Sequence, residues 1–399
     1  MPRFYRVFTS NNERERLGLV GSLQYKSDRL ELSADGIFSQ LKDQADEFTF
    51  GVAVRNSRTV PGSTSAPGTG TNSGLIPLDV KIDEYNNLYG TFGNSSFINE
   101  NFFRNARTRF KYGIIRGVYD FTDNLKLSAQ ANLSESNARY TANRIVSNIY
   151  GVTSTFDPTG NVTYPTISSP VDFTDPSNYT TPTLGFSLNR EIDKQKTARA
   201  VLDWSLLDDG ERRFALKIGG SYVNTGKRIS TQDGSSIAAG KLVGLDVFSY
   251  MDPYIQYGAI RDGGNAGYPS QFASFPRSFV MDYLDANAAN EAANVNLNAA
   301  FNAKEIVKTA FFESNFALPL FGKELRGYAG LRYSDTRTII NNYQSAGAGV
   351  FLPQRREGGY ENWLPSASLA YDLTSNLLLR ASAGKTITRA ALTAIAGGT

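Results

Sequence analysis

Residues 125–136 read LKLSAQANLSES. Leu125, Leu127, Ala129, Ala131 and Leu133 occupy every second position, with Lys126, Ser128, Gln130, Asn132 and Ser134 between them. A helix returns to one face every three or four residues, so a strict period of two marks an extended strand with one apolar and one polar side. The fold turns on what faces each side.

Working outward, RFKYGIIRGVYD precedes this strand across the short turn FTDN, and four further pairs of alternating segments share the pattern. RLGLVGSLQYK and LELSADGIF flank SDR; KTARAVLDWSL and RFALKIGGSYV flank LDDGER. IVKTAFFESNFAL and LRGYAGLRYSD flank PLFGKE; NWLPSASLAYD and LLLRASAGK flank LTSN. Ten strands result. Connections between pairs are long, over residues 40–106, 140–196, 224–303 and 336–360, whereas compact domains use loops of about four to six residues. The third includes the Ala/Asn-rich run at 285–300, where a short helix is expected.

Composition narrows the function. The 399 residues contain neither Cys nor His, which removes disulfides, thiolate chemistry, His-based metal sites and His general bases together. No enzyme, cofactor or metal site is expected. A formal net charge of only +3 gives no reason to expect a nucleic-acid partner. AGKT at 383–386 lacks the upstream glycine of a phosphate-binding loop and continues a strand pattern. No run approaches the roughly 18 apolar residues of a membrane helix, and the first residues do not resemble a signal peptide.

Two all-β architectures compete. A soluble sandwich also alternates, but its inner faces favour bulky side chains and its loops are short at both ends. Here the apolar rows mix Leu with Gly and Ala, while the opposite rows carry Arg16, Glu31, Asp35, Lys126, Arg199, Asp203, Lys217, Arg326, Arg332 and Arg380. Loops lengthen at one end only. Aromatic residues gather near the short turns, at Tyr25, Phe121, Trp204, Phe316, Phe321 and Tyr371. This favours an antiparallel transmembrane β-barrel, with lipid on the apolar face, a charged lumen, short periplasmic turns and long extracellular loops.

The closing segment LPSASLAYDLTSNLLLRASAGKTITRA resembles the TonB-dependent receptors of Gram-negative outer membranes. So do ERLGLVGSLQYKSDRLELSADGIFS, RFKYGIIRGVYDFTDNLKLSAQANLS and FNAKEIVKTAFFESNFALPLFGKELRGYAGLRYSDTRT. One departure is Ala390, where the family has Pro after the Arg that matches Arg389. The resemblance implies a 22-stranded barrel holding an N-terminal plug, preceded by a TonB box. It also implies an outer-membrane location, with TonB and the inner-membrane energising complex as partners. Residues 1–399 are accordingly expected to be part of such a barrel domain, with signal peptide, TonB box, plug and C-terminal strands lying outside it. The expected role is energised uptake of a small-molecule or oligosaccharide substrate, such as a siderophore, vitamin or carbohydrate. A plug-less passive diffusion barrel or an adhesin-like surface barrel is the alternative.

Candidate substrate contacts are Tyr250, Tyr254, Tyr257 and Tyr268 in the third long loop, whose flat amphipathic rings suit adaptable recognition. Packing of that loop against its neighbours is the plainer expectation. Arg326, Arg332 and Arg380 are expected to face the lumen, paired with wall carboxylates or turned toward an anion. Asp172, Asp175, Asp246, Asp252 and Asp262 are expected to be solvated turn residues rather than calcium ligands.

Overall fold

The computed structural model describes residues 4–53, 76–160, 165–180, 182–233, 269, 271–286 and 296–396. In chain order these form β1 (Phe4–Lys26), β2 (Leu30–Ala53), the short β3 (Ile76–Ile82), β4 (Leu88–Thr122) and β5 (Leu125–Asp157). Then come β6 (Thr166–Ser168), β7 (Thr183–Asp208), β8 (Arg213–Asp233) and helix α1 (Arg277–Ala286). β9 (Phe301–Leu320), β10 (Lys323–Ser345), β11 (Phe351–Thr374), β12 (Leu377–Gly384) and the single turn α2 (Leu392–Ala396) follow.

All twelve strands belong to one antiparallel sheet, whose main path runs β1-β2-β4-β5-β7-β8-β9-β10-β11-β12. β3 pairs with β4 and β6 with β5, off that path. The ten strands of the path are the ten expected from the alternating segments. Each pairs with its nearest long neighbour in sequence, as a meander requires.

Register divides the side chains cleanly. Residues directly opposite in an antiparallel pair share a face, so one row can be followed from strand to strand. Tyr25 lies opposite Leu32, which lies opposite Gly117, then Ala129, Ala200, Gly220, Ala310, Tyr333 and Trp363. Nearer the short turns, Leu30, Tyr119, Leu127, Leu202, Ile218, Phe312 and Leu331 form the next row. These rows make an apolar belt across the sheet, and its large side chains are exposed, Leu23 by 73% and Ile115 by 63%. In a soluble domain they would be covered.

Small residues let large ones lie flat on this surface. A Cβ at Gly327 would fall 2.9 Å from Leu369 Cδ2 and 3.2 Å from the Phe316 ring, so the glycine is a seat for both. Between β9 and β10 the two-residue turn places Phe321 at φ 50° and Gly322 at φ 74°, the left-handed pair that matches strand twist in a tight hairpin. Phe321 is thereby thrust out at the rim.

The strands are longer than alternation indicated. Residues 336–360, expected as a loop, continue β10 and β11 to a turn at 346–350. β4 and β5 likewise run far past residues 106 and 140. Above the belt neither face needs to be uniformly apolar, so hydrogen-bonded ladders persist while the period-two signal disappears. The helix in the third connection falls at Arg277–Ala286, ahead of most of the Ala/Asn-rich run; residues 287–295 lie outside the described residues. Beyond β12 the chain leaves the sheet after Gly384, so Arg389 is not on a strand.

Leu127→Arg or Ala129→Arg puts a cation on the apolar belt and is expected to hinder bilayer insertion by about 2–4 kcal/mol near the midplane. Gln130→Arg, on the opposite face, should be tolerated. Heat-modifiable electrophoretic migration after folding into vesicles measures this, and greater damage from Gln130→Arg would invert the faces.

Candidate functional site

The face opposite the belt is polar and cross-linked. Asp35 accepts hydrogen bonds from Ser22 Oγ at 2.6 Å and Arg116 at 2.6 Å, joining β1, β2 and β4. Lys126 pairs with Asp120 at 3.5 Å, and Lys217 with Asp203 at 3.6 Å. Arg326 bridges Glu324 at 2.8 Å and Asp372 at 3.1 Å, while Glu324 is also 3.5 Å from Arg213. Half-exposed pairs of this kind add little stability singly, but as a network they hold charged side chains in fixed positions.

Arg326, Arg332 and Arg380, the candidates for the lumen, all lie on this polar face by register. Arg326 and Arg380 line a hollow of about 680 Å³ near the short turns, together with Asp203, Arg213 and Asn315. Arg326 is neutralised there. Arg380 makes no hydrogen bond or ion pair among the described residues. Arg332 sits farther up, its guanidinium 5.7 Å from the centre of the Phe311 ring, and Arg199 lies over the same ring at 5.8 Å. Phe311 in turn rests on Gly219, where a Cβ would fall 2.6 Å from the ring. Two cations held at one aromatic ring present positive charge to whatever occupies this side.

The sequence reading overlooked Phe311 because its neighbour Phe312 fills the belt. An aromatic doublet puts one ring on each face, and only the second fits the expected alternation. Tyr250, Tyr254, Tyr257 and Tyr268 lie outside the described residues, as do Asp246, Asp252 and Asp262.

Above the belt, on its own face, the extended strands carry a separate aromatic core. Phe50 stacks on Phe97 at 5.6 Å and on Phe272 at 4.7 Å, with Phe173 edge-on at 4.9 Å. Phe103, Ile145, Ile149 and Leu184 complete its floor. Residues 271–281 thus form a strap across β2, β4 and β5. Asn99 donates to the Ala273 carbonyl at 2.6 Å and Asn101 to Ser274 Oγ at 2.6 Å. Arg277 pairs with Asp46 and donates to Asn105 at 2.5 Å. Residues 271–281 of the third long connection therefore pack on β2, β4 and β5, strands remote from β8 and β9 in the sheet.

Asp172 and Asp175 serve the segment under this strap. Asp172 accepts from the Thr174 backbone N–H at 2.8 Å and hydroxyl at 2.7 Å, setting the turn that delivers Phe173 to the core. Asp175 caps the next turn through the Ser177 N–H at 2.9 Å. The Thr174 hydroxyl, followed by its N–H, holds the Asp172 carboxyl below its ordinary value. Burial raises the Tyr179 phenol, whose O–H donates to the Phe173 carbonyl at 2.7 Å.

Phe272→Ala removes a fully buried ring, and Phe→Ala core changes cost about 3–5 kcal/mol. The strap is expected to become protease-sensitive while the barrel keeps its heat-modifiable migration; retained protection would show that the strap is held by other contacts. A carboxyl with a lowered folded pKa stabilises fully above its unfolded value, about 3.9, and loses that contribution as pH falls through the folded value. Protection of the Thr174 amide, relative to its intrinsic exchange rate at each pH, should therefore fall below about pH 4, and in Asp172→Asn this acid step should vanish.

The family model described as TonB dependent receptor-like, beta-barrel matches residues 141–399. No curated protein matches the chain. Among solved structures, the ferric preacinetobactin receptor BauA of Acinetobacter baumannii is similar over 95% of this chain and 46% of its own, at 14% identity and TM-score 0.36. The ferric-catecholate import receptor Fiu of E. coli K12 aligns over 94% and 47%, at 12% identity and TM-score 0.37. The siderophore receptor PiuA of Acinetobacter baumannii aligns over 93% and 47%, at 10% identity and TM-score 0.37. The chain spans just under half the length of these structures. With more than half of its residues matched by the family model, the chain belongs to the TonB-dependent receptor-like β-barrel family.

Proposed function

We propose that this chain forms barrel wall of an outer-membrane receptor that takes up a scarce nutrient with energy delivered through TonB. The observation that carries the reading is the exposed apolar belt, continuous in register across the sheet and backed by an ion-paired polar face. Lipid is the medium that such a belt suits, and a water-filled lumen suits the other side. The family match supports the same role.

Among the described residues, both β1 and β12 pair on one side only. Unpaired backbone groups in hydrocarbon cost several kcal/mol each, so in this reading both edges join further wall and the described strands are part of a larger cylinder. Extracellular hairpins and connections meet the nutrient first. Arg199 and Arg332 on Phe311, with Arg380 nearer the short turns, then offer fixed positive charge along the lumen. Siderophore, vitamin and carbohydrate are the substrate classes retained. The plug, the TonB box and the inner-membrane energising complex enter through the family resemblance. No covalent chemistry is involved.

The test is uptake by outer-membrane-containing cells that express the protein and lack their own receptors, supplied in turn with ferric chelates, a corrinoid and oligosaccharides. Accumulation of one class that stops when TonB is deleted is expected. Arg332→Ala with Arg199→Ala should lower that uptake without changing the amount of protein in the outer membrane. Accumulation that persists without TonB would favour passive diffusion, and recovery of the protein in the soluble fraction would overturn the membrane reading.

A further inference from the structure

The row of side chains three steps above Gly113 is unusual in its charge. On the belt's own face, Lys42 lies opposite Arg107, Arg107 opposite Arg139, and Arg139 opposite Arg190. Four cations thus stand side by side on four neighbouring strands, where like charges directly opposite each other destabilise a sheet. Lys42 is relieved by Glu15 at 2.7 Å. The three arginines have no ion pair among the described residues. Arg109, one row lower, shares with Arg107 a single neutral acceptor, Gln40 Oε1, at 3.2 Å from Arg109 Nε and 2.6 Å from an Arg107 terminal nitrogen. The nearby carboxylate of Glu135 is taken by Lys194 at 3.0 Å. Around a hollow of about 510 Å³, Arg107, Arg109, Arg139 and Arg190 converge with no carboxylate among its described lining residues.

Position indicates which kind of anion such a cluster suits. These arginines share the face of Ile115 and Leu133, not that of the lumen arginines. Arg109 is four residues above Gly113, about 10 Å of height for a tilted strand, and arginine side chains extend several ångströms toward an interface. Farther up the same face, Arg277 of the strap contacts Asp46 and Asn105. An apolar belt below and a cluster of guanidinium groups above it on the same face match a lipid whose acyl chains lie on the belt and whose headgroup carries phosphate. Guanidinium grips phosphate through paired hydrogen bonds. Resting on the reading that the belt faces an outer membrane, we propose that this hollow binds the phosphorylated headgroup of a lipid in the leaflet nearest the long loops.

The experiment uses the receptor extracted from outer membranes, with heat-modifiable migration confirming insertion first, so that failure of the membrane reading is seen separately. Retention is then measured by native mass spectrometry in mixed micelles containing bisphosphorylated lipid A, its dephosphorylated form, or neutral detergent plus inorganic phosphate. Wild type should retain the bisphosphorylated lipid about tenfold or more over the dephosphorylated one, and inorganic phosphate should not displace it. Arg107→Gln with Arg190→Gln should abolish that preference. Arg139→Gln, the centre of the row, gives a second readout: relief of like-charge repulsion should raise thermal stability in neutral detergent and remove the stabilisation that lipid A confers on wild type. Equal retention of both lipids, displacement by inorganic phosphate, or unchanged lipid A stabilisation of Arg139→Gln would each overturn the proposal.

Discussion

Everything in this molecule depends on keeping one hydrogen-bond register across the sheet. A strand that slips by one residue turns every side chain to the wrong face, and here the two faces have opposite chemistry. The irregularities of the long strands lie at the margins. Shifts occur at Asp120/Thr122, Ser205/Leu207 and Asp372/Thr374 by the short turns, and between Phe92 and Ser96 far above. Through the belt the ladder is uninterrupted. The same ladder satisfies backbone N–H and C=O groups between neighbouring strands, which is the condition for lying in hydrocarbon. Register thus serves both the backbone and the division of side chains.

Length beyond the belt has a different physical basis. β4 and β5 run for 35 and 33 residues, far more than the roughly 9–11 that cross a bilayer. Their upper parts would expose Phe97, Phe103, Ile145 and Ile149 if they stood alone. The strap and the turn around Phe173 cover these rings, so a segment remote in sequence caps the hairpins. Buried Asn99 and Asn101 spend their amides on the strap's backbone and Ser274, which fixes its position as well as its attraction. An aromatic surface alone would specify contact without specifying alignment.

The ten strands and the face of each charged wall residue were legible because lipid and lumen impose a period of two. Arg16, Glu31, Asp35, Lys126, Arg199, Asp203, Lys217, Arg326, Arg332 and Arg380 all fall on the polar side. Where that double constraint ends, at about residues 106 and 140, alternation fades and the strands read as loops. The Phe311 seat was hidden because its ring lies on the polar face beside Phe312. Cross-strand neighbours such as Arg107 and Arg139 were invisible for a further reason: their pairing is a property of register, 32 positions apart in the chain.

Followed upward on one face, β4 passes from Tyr119 and Ile115 to Lys111, Arg109 and Arg107, then to Asn105 and Phe103. β5 passes from Leu127 and Leu133 through Glu135 and Arg139 to Ile145. Each strand changes character twice without changing conformation, which means that the surroundings, not the backbone, set the composition. Apolar residues left exposed call for a medium, and aromatic residues at the top are met by protein. The arginines between them, Arg107, Arg139 and Arg190, meet no carboxylate among the described residues, and opposed cations in a sheet are a standing cost. A layer that is apolar below, protein-covered above and cationic between is what a strand needs when it crosses from hydrocarbon through an anionic headgroup zone into a folded extracellular cap.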